Sequence, residues 1–117
     1  MPVEIPVQRP LIYLQSADDP EVCFATLPVL VINPRFLLRL SEEDRSVLRL
    51  PENCEPVIGN DVLCLGLLAP SGKTVQSNLN APIVINLQNF RGAQCISSAS
   101  ESACFRLAPD GRWERAC

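Results

Sequence analysis

Three groups of residues in this chain could do chemistry. Gly72-Lys73-Thr74 has the ending of a phosphate-binding loop, and Glu42, Glu43 and Asp44 set carboxylates side by side. Six cysteines (Cys23, Cys54, Cys64, Cys95, Cys104 and Cys117) offer thiols. The first group fails on spacing. A phosphate loop needs a glycine five positions before Gly72, and that residue is Leu67; Gly66 falls one position early. The loop must also open a helix, and the Asn- and Pro-containing stretch after Thr74 does not read as one. A turn between strands accounts for these residues. The carboxylates lie within one helical turn, where the helix dipole favours negative charge without any catalytic role. A glycosidase pair would face itself across a cleft, from separate elements.

The thiols lack an activator. The chain contains no histidine, which removes Cys/His and Ser/His nucleophile pairs, histidine general bases and the common zinc-ligand sets. No Cys-x-x-Cys occurs, so there is no zinc-knuckle or thioredoxin spacing. Cys23, Cys64 and Cys95 sit inside apolar runs and read as small buried hydrophobes with free thiols. Cys54 stands beside Glu55, whose charge works against a thiolate. Cys104 and Cys117 share the tail, where they could pair. A thiol enzyme would need one cysteine with a markedly depressed pKa. No enzymatic activity, metal or cofactor is expected.

What remains is an interaction protein. At 117 residues the chain is long enough for one domain with a real core. The apolar fraction is 47%, which excludes a disordered composition. No apolar run approaches the roughly 18 residues of a membrane span. The opening MPVEIPVQRP has no apolar stretch after a basic one, so it does not read as a signal peptide. A net charge of −3 leaves no chain-wide electrostatic footprint for nucleic acid. Charge is uneven: residues 1–90 carry six basic and ten acidic groups, and the remainder four and three.

Eleven prolines forbid long helices and favour short strands between turns. Strands are expected over 11–16, 21–25, 62–69, 75–79, 82–87 and 94–97. A weak one is expected over 104–107. Residues 27–32 should stay extended past Pro28, placed at a bulge or an edge because it cannot donate to a ladder. One helix is expected: Ser41 as N-cap, an acidic first turn, an apolar side of Val47, Leu48 and Leu50, and Pro51 as the stop. The fold class is therefore mainly β, a small antiparallel β-barrel-like domain with one short helix. Residues 1–97 form the domain, and 98–117 a divergent, partly flexible tail.

Two segments could carry binding. Asn33-Pro34-Arg35-Phe36 leaves an apolar run just before the helix, and reads first as an ordinary turn. The second, Asn78 to Asn86, reads first as a core strand led in by a proline. In this order they resemble the FliW family of bacterial flagellar assembly factors. Val31-Ile32-Asn33-Pro34 with Phe36 looks like the family's strand–Val-Asn-Pro element. Asn78-Leu79-Asn80-Ala81-Pro82-Ile83-Val84-Ile85-Asn86 matches its Asn-Leu-x-Ala-Pro-Ile-x-x-Asn pattern, and Leu14-Gln15-Ser16 a Leu-Gln-Ser strand. The likeness covers about residues 11–96. It departs at both ends: residues 1–10 lack the family's Leu-Pro-Gly-Phe turn, and the tail after Ser97 takes another course.

The resemblance implies a non-enzymatic, cytoplasmic protein with two competing partners. One is flagellin before export; the other is the translational repressor CsrA, whose capture frees flagellin mRNA. Neither nucleic acid nor membrane is touched directly. The expected partner-binding residues are Asn33, Pro34, Phe36, Glu42, Glu43, Asp44, Asn78 and Asn86. Glu52 and Glu55 would add to an acidic field that meets the basic surface of an RNA-binding protein. The alternative is a small β-barrel interaction module with an unrelated protein partner.

Overall fold

A computed structural model describes residues 11–51, 55–96 and 104–116. It is mainly β, two antiparallel sheets with two short helices. The strands are β1 (Ile12–Gln15), β2 (Cys23–Pro28), β3 (Val62–Leu67), β4 (Ala69–Ser71), β5 (Thr74–Asn78), β6 (Ile83–Asn86), β7 (Gly92–Gln94), β8 (Cys104–Leu107) and β9 (Trp113–Arg115). The helices are α1 (Val29–Ile32) and α2 (Glu42–Leu48). The first sheet runs β1-β2-β3-β6-β7 and the second β4-β5-β8-β9. They meet where the chain leaves β3 at Leu67 and enters β4 at Ala69.

Burial follows strand alternation. In the first sheet Leu27, Val62, Cys64, Gly66, Val84 and Asn86 share one face in register, and all are buried. Both helices close over the same core, α1 with Val29 and Ile32 and α2 with Leu48. The second sheet adds Leu79 and Phe105 to it and keeps Arg106 and Glu114 on its outer side, joined in an ion pair of 3.3 Å. The opposite face of the first sheet is also apolar: Leu14, Phe24, Leu63, Leu65, Leu67, Ile83 and Ile85. Thr26, on that face, settles its buried hydroxyl by donating to the Ile12 carbonyl at 2.7 Å.

Several expectations change. Residues 29–32 are not extended. Pro28 ends β2 and caps a single turn of helix with φ −54° and ψ 135°. A proline, having no N–H, fits where a strand stops and a helix begins. The described residues accordingly hold two helices where one was expected. The strand expected over 104–107 forms as β8, paired to β5, and β9 pairs with it in turn. β4, which contains Pro70, and β9 were missed as strands because neither reaches the length at which alternation shows. The Gly72-Lys73 reading holds: these residues turn between Ser71 and Thr74, and Gly72 takes the positive φ of 62° that such hairpins need.

Of Gly59, Gly66, Gly72 and Gly92, Gly66 has the tightest surroundings. A Cβ there would lie 2.7 Å from Ser77 Oγ and 2.9 Å from both Ile32 Cδ1 and Leu79 Cδ2. Ile32 comes from the Asn33-Pro34 segment, and Leu79 from the segment that runs to Asn86. The two stretches that carried the resemblance are thus packed together over one glycine. Gly66→Ala should destabilise the protein by about 1–3 kcal/mol in urea unfolding, the usual cost of overpacking a core. Ser77→Ala, which removes a buried hydroxyl with no partner among the described residues, should cost nothing measurable in the same assay.

Candidate functional site

Helix α2 starts as its sequence dictates. The Ser41 hydroxyl accepts from the Asp44 N–H at 3.0 Å, and Glu42, Glu43 and Asp44 occupy the positive end of the dipole. Glu42 and Glu43 are exposed, with no ion pair among the described residues. Asp44 is half-buried, its carboxylate beside Cys95. At the other end Arg49 turns left-handed with φ 56°, and its N–H caps the carbonyls of Arg45 and Ser46.

The Leu48 carbonyl, also orphaned by the helix end, is met from the sheet. Asn86 Nδ2 donates to it at 2.8 Å and Asn89 Nδ2 at 3.3 Å. Asn86 is only 3% exposed, and its Oδ1 accepts from the Gln88 N–H at 2.9 Å. Its carboxamide therefore bridges α2 to the turn after β6. Arg45, mostly buried, reaches past Pro51 to Glu55 at 3.0 Å. Glu55 is thereby partly neutralised; Glu52 lies outside the described residues, as do Cys54 and Cys117.

The remaining sequence candidates open turns. Asn33 Oδ1 accepts from the Arg35 N–H at 3.1 Å, and the Asn33 carbonyl from the Phe36 N–H at 3.0 Å. Pro34 is exposed, while Phe36 is half-buried against the core. Asn78 Oδ1 accepts from the Asn80 N–H at 3.0 Å in the same manner, and its residue is exposed. Such side-chain-to-backbone bonds are what Asn does at turns. The structure joins Glu42–Asp44 to Asn86 through the body of α2. It joins the Asn33 and Asn78 segments through Gly66.

Nothing else in the described residues resembles a catalytic centre. No group of three or more Cys, Asp or Glu is placed to hold a metal. A cleft of about 100 Å³ lies beside α2, lined by Leu50, Pro51, Pro56, Asp61, Asn86 and Gln88, and a larger one of about 440 Å³ lies on the second sheet between Lys73, Arg106, Pro109 and Glu114. Cys64 and Cys95 are buried free thiols as expected, whereas Cys23 is free but exposed, and Cys104 is free and half-buried. Burial, followed by the neighbouring Cys95, pushes the Cys64 thiol up to about 12. Burial, then the charge of Asp44 and a hydrogen bond to it, pushes Cys95 up to about 11. Both shifts run opposite to what a nucleophile requires. No described helix is long and apolar enough to cross a membrane.

Two outcomes follow for stability. Asn86→Ala should cost about 1–3 kcal/mol in urea unfolding, because it strips the buried Leu48 carbonyl of its closer donor. Asn78→Ala, at an exposed turn, should cost less than about 1 kcal/mol. The thiols set the alkaline limit. The unfolded chain loses their protons near pH 9, while the folded one keeps them to about 11 and 12. The melting temperature should therefore hold below pH 9 and fall between pH 9 and 11, less steeply in Cys64→Ala relative to its own neutral-pH value.

Comparison with known proteins gives a consistent answer. The model of the FliW protein family matches residues 2–106. The flagellar assembly factor FliW of Pseudothermotoga lettingae is 32% identical over 110 residues, covering 91% of this chain and 67% of the relative. That of Treponema pallidum is 30% identical over 88 residues, covering 75% of this chain and 56% of the relative. That of Caldanaerobacter subterraneus is 30% identical over 87 residues, with 74% and 55% covered. In these last two alignments the chain spans little more than half the relative's length. A solved crystal structure of the flagellar assembly factor FliW superposes with a TM-score of 0.70 at 26% identity, over 86% of this chain and 69% of that one. The chain belongs to the FliW family.

Proposed function

We propose that this chain acts in the cytoplasm as a non-enzymatic flagellar assembly factor. It binds flagellin and, in competition with it, a CsrA-type RNA-binding repressor, so relieving repression of flagellin translation. Membership of the family supports the role, since the matched relatives carry that name. The observation that carries the repressor half is the first turn of α2. Glu42 and Glu43 stand exposed and unpaired among the described residues, on a helix capped at its start and clamped to the sheet at its end. A fixed acidic surface suits a partner whose own surface must be basic to hold RNA. It also repels an RNA backbone from the same place.

Within this reading Glu42, Glu43 and Asp44 form the contact, and Pro34 lies on exposed surface nearby in sequence. Asn86 acts by holding the helix that presents these residues, and Asn33, Phe36 and Asn78 by shaping the turns and core of the fold. Kinetics with purified CsrA provide the test. A triple variant, Glu42→Lys, Glu43→Lys and Asp44→Asn, should associate about tenfold more slowly at low salt, with a flatter salt dependence. Its circular dichroism and melting curve report whether it is folded. A folded variant with an unchanged low-salt rate would contradict the acidic contact.

A further inference from the structure

Phe90 stands in solvent on a strained turn. It is 76% exposed, and its backbone is left-handed with φ 59°. Gly or Asn adopts that conformation readily; a bulky aromatic residue does not. The turn is nevertheless fixed. The Phe90 N–H donates to the Asn86 carbonyl at 2.7 Å, the Arg91 N–H to Asn89 Oδ1 at 2.8 Å, and the Leu87 N–H to the Asp61 carbonyl at 3.0 Å. An aromatic ring on a rigid mount gives up little freedom when another surface closes on it.

The surface beside it is polarised along α2. Asn89, next to Phe90, bonds the carbonyl of Leu48, next to Val47, at 3.3 Å. Val47 is 49% exposed. Asp44 lies beside Cys95, just past β7, whereas Arg45 turns the other way to Glu55. Glu43 and Val47, four positions apart, lie on the Asp44 flank of the helix, the flank that borders β7. The acidic groups Glu42 and Glu43 stand at one end of this strip. At the other end Arg49 closes α2 and Arg91 follows Phe90, both exposed. From Glu43 to Arg49 the helix rises about 9 Å. None of these four charges is in an ion pair among the described residues. The chain on both sides of Val47, from 41 to 51, and of Phe90, from 85 to 96, is described.

We propose that this strip is a contact between two copies of the chain. A strip acidic at one end, apolar in the middle and basic at the other is complementary to itself turned end for end. A partner of uniform charge would meet repulsion at one end. About a two-fold axis near Val47 and Phe90, the glutamates of one copy face Arg49 and Arg91 of the other, and the apolar side chains close the centre with Phe90 as anchor. The contact is small beside a permanent dimer interface, so it forms at high local concentration. It does not rest on the proposed function. Where both hold, a second copy and a basic partner compete for Glu42 and Glu43.

Sedimentation velocity of the full chain tests this, with reductant present so that the exposed Cys23 cannot link two chains. The chain should pass from monomer to dimer between micromolar and millimolar concentration, more readily at low salt. Phe90→Asn suits the left-handed turn, so the fold is kept, and it should weaken the dimer at least about tenfold. Glu43→Lys and Arg91→Glu should each weaken it, and the two together should restore it, because the exchanged charges face each other again. Circular dichroism and melting curves check the folding of each variant. A chain that stays monomeric throughout would overturn the proposal. So would a dimer indifferent to Phe90→Asn, or one that the double exchange fails to restore. Association that runs on past the dimer would overturn it too, since a two-fold contact closes on itself.

Discussion

A helix that ends against a sheet leaves carbonyls that water cannot reach, and α2 is such a helix. Its Leu48 side chain is fully buried, and the Leu48 carbonyl takes its hydrogen bonds from Asn86 and Asn89. Asn86 can serve because it closes β6 with its carboxamide turned into the core, and because the turn from Asn86 to Arg91 is itself tied. The Phe90 N–H donates to the Asn86 carbonyl at 2.7 Å, and the Asn86 N–H to the Arg91 carbonyl at 2.8 Å. The position of the acidic turn follows from this joint. Ser41 decides where α2 begins, Asn86 where it is held, and Glu42 and Glu43 project from what lies between.

The second constraint is the glycine contact. Gly66 lets Ile32 from α1, and Ser77 and Leu79 from the second sheet, close on the first sheet without a Cβ between them. One part of the sequence pattern is thus explained by packing alone. The Val-Ile-Asn-Pro and Asn-Leu stretches each place an aliphatic residue on that glycine and then an Asn that turns the chain. Their Asn residues engage their own backbone.

Much of this was legible in the residues. Ser41 with its acidic first turn and Pro51 announced α2, and apolar segments bounded by turns announced β1, β3, β5 and β6. Pro28 misled, because a proline after Leu27 is compatible with a bulge as well as with a helix start, and Val29, Val31 and Ile32 are β-formers held helical by tertiary packing. β4 and β9, each three residues, fall below the length at which periodicity speaks. The site was half visible. Glu42 to Asp44 stood out by charge, but the role of Asn86 depends on a contact 38 positions away in sequence, which no local pattern reports. The Gly66 contact is likewise a product of how strands are registered.

The two ends of α2 differ in character. The clamp gives the helix one orientation; the acidic turn carries the charge that, in the proposed function, a basic partner meets. The most direct measurement of the account is calorimetric titration of the folded chain with CsrA, repeated after saturation with flagellin from the same organism. The account predicts binding to CsrA that flagellin abolishes. A folded chain that binds neither protein would contradict it.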